Sequence, residues 1–194
     1  ETLGALLGDF LSENGGLFAF HDAVPADGNG SETDAGHLRF RYTQTYCGVV
    51  LANSAVAEAA HPRGAFDEDL QWADRGILRA ELRKDGLIQA FTDLLVPALI
   101  YAPTKPVIDA EAAAAALPGA RLEAHACFGP DGHVIKANEL GEAGEPVLLL
   151  LEAADGLELR LAWPIGVYLE GTTTAYVDAL TGDPLAWALH FSCP

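Results

Sequence analysis

The sequence has no methionine at any of its 194 positions, including the first. A mature product or a trimmed fragment is therefore expected, with any leader already removed. Basic residues are scarce: 11 Lys and Arg stand against 28 Asp and Glu, a formal charge of −17. A surface this acidic repels phosphates and anionic headgroups, so neither nucleic acid nor a membrane surface is an expected partner. Long apolar runs are missing as well. The longest resemble Val147–Leu151, far short of the roughly 18 residues of a membrane span. The three cysteines, Cys47, Cys127 and Cys193, match no zinc or thioredoxin-type spacing. Cys47 and Cys127 fall in strand-like segments and read either as a disulfide pair or as two buried thiols, with Cys193 the odd one.

Motifs of catalysis are equally scarce. None of the histidines (His21, His37, His61, His125, His133, His190) forms HExxH, the pair one helical turn apart that binds zinc. There is no G-x-S-x-G elbow and no Walker loop. His125 and Cys127 share a strand face, but no orienting third group accompanies them. Asp67 and Asp69 lack the further oxygens and the glycine of a calcium loop. The chain is thus expected to be no enzyme, and to carry no metal or cofactor of its own.

What is present is hydrophobic periodicity, in a chain that is 50% hydrophobic and long enough for one large or two small domains. Leu3, Leu6, Leu7, Phe10 and Leu11 follow helical spacing and predict one apolar stripe, stopped at Asn14-Gly15-Gly16. Residues 22–36 are polar and glycine-rich, and read as a loop. The segment 37–54, HLRFRYTQTYCGVVLANS, alternates: Leu38, Phe40, Tyr42 and Tyr46 on one face, Arg39, Arg41, Thr43 and Thr45 on the other. Gly48 permits a bulge or turn before Val49-Val50-Leu51. Residues 57–75 show no period and read as an excursion. Leu78, Ala80 and Leu82 alternate with charged residues up to the turn signal Asp85-Gly86, and Leu87–Val96 returns. Prolines 97, 103 and 106 mark a linker.

Asp109 can cap a second helix over 109–117, ended by Pro118-Gly119. Beyond it everything reads as strands, with turns at 130–132, 155–156 and 181–182. Helix followed by local hairpins, twice, predicts an α+β protein without βαβ units. The expected division is 1–103 and 104–194, each helix covering one face of its own antiparallel sheet.

Two groups of residues carry a family resemblance. FLSENGGLFAF (10–20), then Arg41, Gln44, Thr45, Tyr46, Gly48 and Val49-Val50, resembles the FTP half of the propeptides of secreted thermolysin-like and fungalysin-like metalloproteases. TKPVIDAEAAAAAL (104–117) and TAYVDALTGDPL (174–185), with Tyr176, Asp178 and Gly182, resemble the opening helix and closing hairpin of a PepSY domain. The order of these motifs spans nearly the whole chain. The excursion at 57–75 and the cysteines depart from the pattern, and the chain holds no protease domain.

The resemblance implies two cystatin-like subdomains, and a module that assists folding of a secreted zinc metalloprotease and blocks its cleft. The partner would be the protease domain, in cis or in trans. The chain would be a monomer, secreted or periplasmic. It implies structural roles for the motif residues: Tyr42 and Tyr46 as core anchors, Gly48 as a backbone device, Asp178 and Gly182 as turn formers. The alternative is a free-standing secreted FTP/PepSY protein that binds or inhibits proteases in trans. Cys193, near the end that leads toward the protease in a precursor, is a candidate inhibitory thiol for the protease zinc.

Overall fold

The computed structural model describes residues 3–14, 23–25, 31–32, 36–52, 77–93, 102–122, 131–153, 156–169 and 172–189. Its class is α+β: short helices and antiparallel sheets. The chain divides into two compact units. Glu1–Leu51 and Asp74–Ile100 make the first, and Tyr101–Pro194 belongs to the second together with Ala52. The excursion at 57–75 lies outside the described residues.

In the first unit, helix α1 (Leu3–Glu13) rests on a sheet through Leu7 and Leu11, which are 2% and 0% exposed. They meet Phe40, Tyr42, Leu78, Ala80 and Leu82. The expected stripe was broader. Leu6 and Phe10 are 46% and 38% exposed. The buried line runs through Gly4, Leu7 and Leu11, at helical spacing. A Cβ on Gly4 would come within 3.1 Å of Phe40 Cε1. Close approach along that line turns Leu6 and Phe10 outward. At the helix end, the N–H and the side-chain amide of Asn14 both donate to the Phe10 carbonyl, at 3.1 and 2.8 Å.

The sheet comprises β1 (Ala23–Pro25), β2 (Ser31–Glu32), β3 (Leu38–Tyr46), β4 (Val49–Val50), β5 (Ile77–Leu82) and β6 (Ile88–Asp93). β3 is central, with β1 and β2 along one edge, β5 along the other, and β6 beyond. The reading of 22–36 as a loop is corrected here. β1 and β2 pair with successive stretches of β3, Ala23 opposite Gln44 and Glu32 opposite Leu38. Strands of two or three residues pair through their backbone and are too short to display alternation. Between β5 and β6 the expected Asp85-Gly86 turn forms. Gly86 N donates to Arg83 O at 2.9 Å, and Leu87 N to Asp85 Oδ1 at 3.2 Å.

In the second unit, helix α2 spans Ala110–Ala115, with Asp109 Oδ1 accepting from Ala112 N at 2.8 Å. It is shorter than 109–117 because the next bonds tighten: Ala116 N reaches Ala113 O and Leu117 N reaches Ala114 O, i to i−3. Strands β7 (Arg121–Leu122) and β8 (His133–Val134) form a small separate pair. β9 (Leu140–Ala143), β10 (Val147–Ala153), β11 (Gly156–Tyr168), β12 (Thr172–Asp178) and β13 (Pro184–Leu189) form the main sheet. Its order is β10-β11-β12-β13, with β9 also paired to β11. Not everything after α2 is strand: Ala137–Glu139 is a 3₁₀ turn.

β11 is central yet contains Pro164. The Pro164 carbonyl accepts from Gly144 N at 2.8 Å on the β9 side. The missing N–H points to that same side, where pairing with β10 has stopped at Ala162 and pairing with β9 starts at Ile165. No ladder bond is lost there. The sheet is buried on both faces. Ile165, Val167, Ala175 and Val177 pack under Ala113 and Leu117, while Leu149, Ala162, Tyr176 and Ala188 form a second cluster with Ala52 alongside. Ala52 N donates to Leu148 O at 2.9 Å. Leu148, Leu149 and Leu150 are consecutive and all at most 2% exposed, as an apolar run covered on both sides requires.

Candidate functional site

The resemblance singled out residues on two hairpins, one in each unit. In the first, Tyr46 stands opposite Val49 and only Cys47-Gly48 lies between them. Both have positive φ, 48° and 80°. A two-residue loop with both central residues in that region is a type I′ turn, whose twist matches the flanking strands. Gly48 adopts the conformation without strain. Cys47 is the one described non-glycine residue with positive φ. It is an exposed free thiol in a turn, which corrects its placement in a strand and the reading of it as buried.

Around this turn the burial pattern of β3 changes phase. Phe40 and Tyr42 are 3% and 5% exposed, but the next buried position is Thr45, at 8%. Tyr46 is half-buried and outside the described core cluster. The strand leaves the main ladder after Gln44, whose carbonyl accepts from Leu51 N at 2.9 Å, and continues paired to β4. Tyr42 therefore serves as a core anchor, and burial pushes its phenol pKa up. Tyr46 instead flanks the turn. Arg41 is half-buried, and its Nε is shut from solvent with no hydrogen-bond partner among the described residues.

In the second unit the hairpin β12–β13 closes through Asp178, which is 1% exposed. Its Oδ1 accepts from Leu180 N at 2.7 Å and Thr181 N at 3.1 Å. Its Oδ2 accepts from Arg160 Nη1 at 3.0 Å. Its backbone N–H donates to Asp183 O, and its carbonyl accepts from Gly182 N. Gly182 has φ +84°. The next residue, Ala179, accepts from both Val107 N and Ile108 N at its carbonyl, and Trp163 Nε1 donates to Ile108 O at 3.0 Å. The turn thus also fastens the segment leading into α2. Tyr176 is 4% exposed, and its phenol pKa is raised by that burial. Arg160 is held above its ordinary value, first by its bond to Glu158 Oε1 and then by Asp178.

Two histidines pair with glutamates. His37 Nδ1 lies 2.8 Å from Glu81 Oε1, with Arg39 3.5 Å from the other oxygen. His133 Nε2 lies 2.8 Å from Glu139 Oε2, which also accepts from Lys136 N. Both carboxyls are held below the usual glutamate range, chiefly by the histidine bond. Among the described residues, no three His, Cys, Asp or Glu side chains converge as a metal would require. His21, His61, His125, His190, Asp67, Asp69, Cys127 and Cys193 lie outside the described residues. No described helix is long and apolar enough to cross a membrane.

Motif reading did not anticipate Arg160, Glu81 or Glu139. A visible signal existed only for the first: Glu158 and Arg160 alternate with leucines on one strand face. No protein-family model matches the chain, and no curated protein matches it. Among solved structures, the chain is similar to the Bacillus megaterium YpeB C-terminal domain, with TM-score 0.42 and 15% sequence identity. That match covers 98% of this chain and 66% of the other, so the chain spans just under two thirds of that domain's length.

Proposed function

We propose that this chain is a non-catalytic propeptide-type module that assists folding of a secreted zinc metalloprotease and inhibits it. The observation that carries the reading is the behaviour of the two motif segments. The stretch from Arg41 to Val50 builds a strand, a two-residue turn and a return strand. The stretch from Thr174 to Leu185 builds a hairpin closed by a buried aspartate. The motif residues of the second hold their own turn: Asp178 through two backbone N–H groups and Arg160, Gly182 through its positive φ. Such residues suit a module that works by presenting a shaped surface. In this reading the chain has no catalytic role, and it acts outside the cell or in the periplasm.

The test begins with the coding sequence beyond Pro194. An open frame into an HExxH domain calls for that domain to be refolded with and without the separate chain, then titrated with it. Higher refolding yield and stoichiometric inhibition are expected. Neither effect on its own downstream protease would overturn the proposal. A stop codon there removes the role in cis, leaving inhibition in trans as the reading to test against secreted zinc proteases.

A further inference from the structure

We draw no further inference here: the strongest candidate, the tip of the β5–β6 hairpin, where Leu87 and Ile88 are 58% and 44% exposed and follow the exposed Arg83 and Lys84 in the same turn, is an apolar patch, and nothing in the structure shows what covers it.

Discussion

Asp178→Ala strikes a carboxylate that is 1% exposed and accepts from Leu180 N, Thr181 N and Arg160. Hydrogen bonds to a charged acceptor contribute about 1.5–3 kcal/mol each, and the two backbone bonds share one oxygen, so their sum falls below twice that. Arg160 is 36% exposed and keeps Glu158 at 2.8 Å, so its loss is largely absorbed and contributes about 1 kcal/mol. The total is about 3–5 kcal/mol, the range found when a buried pair loses one member. Asp178→Asn keeps an oxygen for both N–H groups but sets an amide toward Arg160, at a cost of about 1–2 kcal/mol. Urea unfolding followed by tryptophan fluorescence reads the effect, because Trp163 and Trp187 both lie in this unit. A double-mutant cycle with Arg160→Met isolates the ion pair, expected at about 1 kcal/mol. An alanine variant within about 1 kcal/mol of wild type would refute the reasoning. An asparagine variant as damaged as the alanine one would move the weight from the turn to the ion pair.

Thr173 is fully buried and its hydroxyl has no partner among the described residues. Thr173→Val keeps the shape and should stabilise by about 1–2 kcal/mol; a loss of stability in urea would show that the hydroxyl is used. Cys47 occupies a left-handed position at φ 48°, so Cys47→Asn should raise stability by about 0.5–1 kcal/mol, checked by the same melt. Leu11, at 0% exposure against the first sheet, should cost about 3–5 kcal/mol as Leu11→Ala; an effect under about 1 kcal/mol would place it outside the core. The glutamates of the two histidine pairs have lowered pKa values, so between the folded and unfolded values the unfolded chain binds more protons and stability rises with pH. Their contribution is complete above the unfolded value of about 4.3 and fades as pH falls through the lowered folded value. Glu81→Gln and Glu139→Gln should each flatten the acid side of a urea-midpoint profile; an unchanged profile would count against the pairs.

Legibility followed the length over which a pattern could repeat. β3, β5 and β11 alternate for six residues or more, and their faces could be read from side chains alone. β1 and β2 could not, because a three-residue edge strand is defined by the partner it finds. Helix α1 was placed correctly while its buried line was drawn too wide. Hydrophobicity marked five candidate residues, and only the close passage of Gly4 over Phe40 decided that Leu7 and Leu11 face inward. Tyr46 shows the same limit. Alternation carried past Gln44 assigns it to the core, but the strand changes ladders there and the phase shifts with it.

The candidate site divides along a similar line. Turn formers act within a few residues of themselves, so Gly48, Asp178 and Gly182 could be named from sequence. Their partners across the sheet could not, since Arg160 reaches Asp178 over 18 positions and His37 reaches Glu81 over 44. Arg41 shows the same limit from the other side: its type and strand position were visible, but only the fold shows that its Nε is shut from solvent without a hydrogen-bond partner among the described residues.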